Sequence, residues 1–153
     1  MSPRLLRWGM NLWPPFLGAG IRVRRIAPDW SEVLVELRQG LLNRNYVGTH
    51  YGGSLFSMTD PFYALMLMHA LGSRYLVWDQ AASIEFVAPG RGKVSAHFVL
   101  AAERAAEIRA QAEAGEKLLP EFDVEVRDAA GALVARVHKT LYVRLKTRYR
   151  PAG

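Results

Sequence analysis

The chain has 153 residues and no cysteine, which excludes a disulfide framework, thiol catalysis and cysteine-ligated zinc. Half of it is hydrophobic and 22% is charged, the composition of one ordinary globular domain spanning 1–153. The net charge of +6 attracts polyanions, but no zinc-finger, helix-turn-helix or aromatic RNA-binding signature accompanies it, so nucleic acid is not the expected partner.

Residues 1–18 read as a short amphipathic helical segment packed on the domain. Ser2 can cap, Pro3 suits the first turn, and Leu5, Trp8 and Leu12 share a face. Asn11 and the Pro14-Pro15 pair interrupt the apolar run, which argues against a signal peptide. "IRVRRIA" and "SEVLVEL" then alternate as two strands, with Pro28-Asp29 turning between them. A loop from Gly40 to Gly53 leads into an apolar helix over 54–71, stopped at Gly72.

The second half is richer in strands. Ala82, Ile84, Phe86 and Ala88 alternate, Pro89-Gly90-Arg91-Gly92 turns the chain, and Val94, Ala96, Phe98 and Leu100 alternate again. "AAERAAEIRAQAEAG" reads as an exposed helix ended by Gly115. Phe122, Val124 and Val126 form a further strand. In the last one, Leu133, Ala135, Val137, Leu141 and Val143 share a face that Lys139 interrupts.

This order predicts an α+β fold: about six strands in a curved antiparallel sheet, wrapped around one long central helix, plus the short N-terminal helix. The longest apolar run, Pro61 to Gly72, is too short for a bilayer, which needs about 20 residues. A cytoplasmic protein with no membrane partner is expected. The four histidines, His50, His69, His97 and His138, contain no HExxH-type pair, so no metal site is expected.

The stretch "NYVGTHYGGSLFSMTDPFYAL" carries the chemistry. Asp60 can attack a carbonyl or activate water. It can equally cap a helix starting at Pro61; alternatively, a helix beginning at Gly53 would be kinked by that proline. Gly52 and Gly53 let a substrate approach the backbone, or serve a turn that needs positive φ. Asn45 suits local loop contacts as well as orientation of a water. Met58, Tyr63 and Phe56 suit core packing or an acyl-pocket wall.

Asn45-x-x-Gly48-Thr49-x-x-Gly52-Gly53-x-x-Phe56-x-x-x-Asp60, followed by "IEFVAPGRGKVSA" at 84–96, resembles the hotdog-fold thioesterases of the phenylacetate-pathway type, in particular a branch carrying Asp-Pro at this point. The motif coverage runs from Asn45 to about Leu100. The resemblance implies dimers joined through a continuous sheet, or tetramers, with an acyl-coenzyme A thioester hydrolysed at the subunit interface. It implies no cofactor beyond the coenzyme A of the substrate. Asp60 falls on the family's acid, and Gly53 on the amide that polarises the thioester. Asn45, Thr49, His50, Tyr51 and Gly52 fall on the loop, and Arg91 and Lys93 on a turn that meets coenzyme A phosphates. The family places a histidine immediately before the paired glycines, where this chain has Tyr51 and carries His50 one residue earlier. That departure leaves a second reading: a non-catalytic hotdog protein that binds an apolar ligand or only oligomerises. A hotdog dehydratase would need a histidine-rich motif that the sequence lacks.

Overall fold

A computed structural model describes residues 2–150; Met1 and residues 151–153, part of the expected 1–153 domain, lie outside the described residues. The chain begins with α1 (Pro3–Leu12) and α2 (Pro14–Ala19). The Ser2 hydroxyl accepts from the Leu5 amide at 3.3 Å, and Pro3 opens α1 where its missing N–H costs nothing. β1 (Ile21–Ile26) and β2 (Glu32–Arg38) form an antiparallel hairpin. Asp29 ties the hairpin turn by accepting from the Ser31 amide at 3.2 Å and its hydroxyl at 2.7 Å.

The central helix is bent rather than straight. α3 (Gly52–Ser57) and α4 (Phe62–Leu71) are separated by a break at residues 58–61. Pro61 has no N–H to continue the ladder, and the chain tightens before it. Thr59 N–H donates to Phe56 O at 3.0 Å and Asp60 N–H to Ser57 O at 3.3 Å. Of the two expectations for Asp60, the kink is realised and the cap is not: α4 begins with no side-chain cap.

β3 (Tyr75–Phe86), β4 (Lys93–Val99), α5 (Ala102–Ala112), β5 (Glu121–Asp128) and β6 (Leu133–Leu145) complete the domain, followed by one 3-10 turn at Thr147–Tyr149. β3 begins seven residues before the alternating pattern at Ala82. A register shift between Asp79 and Ala81 breaks the period there, so the alternation on either side does not join up in the sequence. The six strands form one antiparallel sheet in the order β1-β2-β4-β5-β6-β3.

α4 is apolar except for His69 and is buried over most of its surface, with Met68 and His69 left exposed. Phe62, Tyr63, Met66, Leu67 and Leu71 press onto sheet residues that include Val35, Ala96, Phe98, Val137 and Leu141. The Phe62 and Phe98 rings lie 5.0 Å apart, and Tyr63 stacks on Phe122 at 4.6 Å. The tyrosine hydroxyl is satisfied by donating to Asp123 O at 3.0 Å. Burying each such side chain stabilises the fold by about 1.5–3 kcal/mol, so this helix–sheet contact anchors the domain. Among the described residues, the outer edges of β1 and β3 have no strand partner.

Candidate active site

The loop before α3 is held by its own side chains. The Asn45 amide donates to Thr49 Oγ1 at 2.8 Å and His50 O at 3.2 Å, while its oxygen accepts the Thr49 N–H at 2.9 Å. All its hydrogen bonds run within the loop, so Asn45 sets the loop's shape. His50 is buried; its Nε2–H donates to Gly92 O at 3.1 Å, which leaves Nδ1 buried with no partner. Burial pushes the imidazole below its ordinary value of 6.5, partly offset by the bond to Gly92.

Tyr51 is exposed, and its carbonyl accepts the Ser54 and Leu55 amides at 2.9 and 3.2 Å to start α3. The Gly52 and Gly53 amides precede those donors and have no carbonyl one turn back. Neither glycine has positive φ, which removes the turn explanation for the pair. Their need is space: a Cβ on Gly52 would meet Phe86 at 2.9 Å, and one on Gly53 would collide with the Tyr51 ring. A surface cleft of about 450 Å³ runs along this loop, lined among others by Asn45, Thr49, His50, Gly52, Phe86 and Arg91. Arg91 reaches across it and donates to Gly48 O at 3.1 Å.

Asp60 is elsewhere. It lies at the helix break, with its side chain 68% exposed, beside a smaller cleft of about 150 Å³ lined by Trp13, Pro15, Phe16, Phe56 and Ser57. Within one chain the glycine loop and Asp60 do not share a cleft.

Beneath Asp60 sits the polar side chain that interrupted the β6 pattern. Lys139 is fully buried and donates to the Asp60 carbonyl at 2.7 Å. That carbonyl lies just outside the α4 ladder, whose first bond runs from Leu65 N–H to Pro61 O, so the ammonium supplies the partner the broken helix withholds. The same Nζ stands 3.5 Å from Asp60 Oδ1 and 3.3 Å from Asp79 Oδ1. The Asp79 contact is an ion pair outside hydrogen-bond alignment, because that oxygen has no hydrogen-bond partner. Burial pushes the Asp79 carboxyl above its ordinary value; Lys139 pulls it back, and the Asp60 charge adds to the rise. Lys139 and Asp79 were not among the expected site residues. The lysine had left a signal, a cation on an apolar strand face; Asp79, at the bulge, had left none.

The remaining expected residues disperse. Phe56 walls the Asp60 cleft. Met58 and Tyr63 lie in the core rather than on either cleft wall. Lys93 opens β4 rather than a turn and pairs with Glu36 at 3.5 Å. Among the described residues no three His, Asp or Glu side chains are grouped as metal ligands.

A family model described as a domain of unknown function, DUF4442, matches residues 3–143. The chain belongs to this family. No curated protein matches the chain in sequence. Among solved structures, the DUF4442 chain is similar to a Pseudomonas aeruginosa protein of unknown function described as a probable thioesterase, at 21% identity and TM-score 0.85, covering 95% of this chain and 97% of that one. A Haemophilus influenzae thioesterase aligns at 13% identity and TM-score 0.68, covering 95% and 92%. A Chlorobaculum tepidum protein of unknown function aligns at 11% identity and TM-score 0.73, covering 95% and 98%. At these identities the likeness establishes the fold, the hotdog arrangement of a curved sheet around a central helix.

Proposed function

We propose that this DUF4442 chain is a thioester hydrolase whose site is completed by a second copy, one chain presenting its Asn45–Gly53 loop and the other its Asp60. The observation that carries the reading is the carboxylate of Asp60, exposed at the mouth of an apolar cleft and set on a buried ammonium, yet apart from its own chain's glycine loop. Support comes also from the thioesterase descriptions of similar folds and from the unpaired β3 edge, which carries exposed Trp78 and Phe86 and offers a strand to another chain.

In this reading Asp60 takes a proton from water as the water oxygen attacks the thioester carbonyl. The Gly53 N–H stabilises the oxyanion, with Gly52 leaving room for the substrate. Collapse breaks the C–S bond, and the proton held by Asp60 passes to the departing thiolate, giving a carboxylic acid and a thiol. Lys139 fixes the Asp60 backbone by donating to its carbonyl. Arg91, beside the loop cleft, meets the phosphates of a coenzyme A carrier. The finer assignments, an acyl-coenzyme A substrate, the phenylacetate-pathway type, a homodimer or homotetramer, no other cofactor and a cytoplasmic location, belong to the same proposal.

Tyr51 favours a second reading. It stands where the resembled family has a histidine, and His50 is buried with its Nε2–H committed to Gly92. A chain that binds an acyl ligand without turnover fits those facts. The two readings separate by thiol release from a panel of short, long and aromatic acyl-coenzyme A thioesters. We expect release by the wild type and its loss in Asp60→Asn. The melting temperature should hardly move, since Asp79 still faces the buried Lys139 ammonium at 3.3 Å and the backbone bond from Lys139 to the Asp60 carbonyl remains. A folded oligomer that releases thiol from no panel member is the binding protein instead.

A further inference from the structure

The N-terminal helix presents an apolar face that the domain does not use. Leu6 and Met10 turn inward to the core. The Asn11 side chain locks α1 onto the edge strand, donating to Val23 O at 3.0 Å and accepting the Val23 N–H at 2.8 Å. Leu5, Trp8 and Leu12 are thereby held outward, each more than 60% exposed.

That face continues across the surface. A cleft of about 320 Å³ between α1, α2 and β1 is lined by Trp8, Leu12 and Leu17, with Arg7, Arg22 and Arg24. A second, of about 470 Å³, shares Leu17 and Arg22 as a wall and extends to Arg38, Leu41 and Leu42. Leu42, at the tip of its loop, is fully exposed. Two separate stretches of sequence therefore converge on one apolar patch rimmed by arginine.

The charge is as one-sided as the hydrophobicity. Residues 1–28 hold Arg4, Arg7, Arg22, Arg24 and Arg25 and no acidic residue. The acid facing the patch is Glu36, which pairs with Arg24 at 3.5 Å and Arg38 at 3.3 Å. Among the described residues Arg4, Arg7 and Arg22 are in no ion pair. A polyanion alone has no use for exposed leucines. A second copy docking by the same patch would set arginines against arginines. A partner that is both anionic and apolar beneath its surface satisfies both features.

We infer that this face docks on a bilayer containing anionic phospholipid, with Trp8, Leu12, Leu17 and Leu42 entering the headgroup boundary and the arginines meeting phosphates. No helix among the described residues is long and apolar enough to cross a membrane, and lying on one requires none. This departs from the expectation of no membrane partner. It does not depend on the hydrolase reading, because binding is measured without turnover.

The test is co-sedimentation of the full chain with phosphatidylcholine vesicles, with and without phosphatidylglycerol, alongside size-exclusion chromatography. We expect binding only to the anionic vesicles. Trp8→Ser/Leu42→Ser and Arg22→Glu should each weaken it at least about tenfold at unchanged circular dichroism and oligomeric state. Three outcomes overturn the inference. The wild type does not sediment with anionic vesicles; or Trp8→Ser/Leu42→Ser binds as well as wild type, a charge effect alone; or that variant changes the oligomeric state, which makes the patch an interface between copies.

Discussion

The Asn45–Gly53 loop and the helix break at Asp60 are both polar intrusions in an apolar stretch, and they are stabilised in opposite ways. The loop satisfies itself: Asn45 bonds Thr49 and His50 within a few residues, and its glycines make room for Phe86 and Tyr51. The break depends on a distant residue, for Lys139 arrives from β6, 79 positions later, to meet the Asp60 carbonyl. A local network can form with the loop itself, whereas the break is completed only when the last strand docks. The loop is shaped from within, although Gln39, Gly90, Arg91 and Gly92 also bond to it from outside, whereas the break needs a buried charge that the sheet must house.

The comparison breaks hardest at Lys139. Lys139→Met removes the ammonium while leaving two carboxylates and an unpaired carbonyl. Loss of one partner from a buried ion pair costs about 3–5 kcal/mol, read as a lower midpoint in urea unfolding. Asp79→Asn added to Lys139→Met should recover a measurable part of that loss, because it removes the more deeply buried of the two stranded charges. A Lys139→Met chain as stable as wild type would show that the break does not rest on the sheet.

Asn45→Ala comes next. It deletes three hydrogen bonds inside the loop at a cost of about 1–3 kcal/mol and should leave the Asp60–Lys139 pairing intact. A double variant with Lys139→Met should then be additive within about 0.5 kcal/mol. Strong coupling between the two would mean that loop and break are one unit rather than two.

The smallest effect concerns pH. Burial lowers the folded-state value of His50 below 6.5, so the neutral ring contributes stability that is present above pH 6.5. It is lost as pH falls from there through the lower folded value. His50→Gln should flatten that acidic limb in thermal melts recorded from pH 7.5 to 5, and an unchanged slope would place the titration elsewhere.

Much of the fold was legible because its signals are local. Alternation marked the strands, Ser2 and Pro3 marked the start of α1, and the apolar run at 62–71, broken only by His69, marked the buried helix. Lys139 was legible as an anomaly, since a cation on the apolar face of a strand asks for a partner. The partners were not legible, because Asp60 reaches it across the packing of the broken helix on the sheet and Asp79 through strand pairing at a bulge.

By itself, then, the sequence determined the α+β class and the strands set around a central helix, which depend on residue periodicity. Only the tertiary structure decided that the loop and Asp60 occupy different clefts, that the glycines answer to neighbouring rings rather than to positive φ, and that the Leu5–Trp8–Leu12 face points away from the core. The physical reason is the same in each case. Periodicity tells which residues share a face, but which way that face turns is set by contacts between residues far apart in the chain, as the Asn11 clamp on Val23 does for α1.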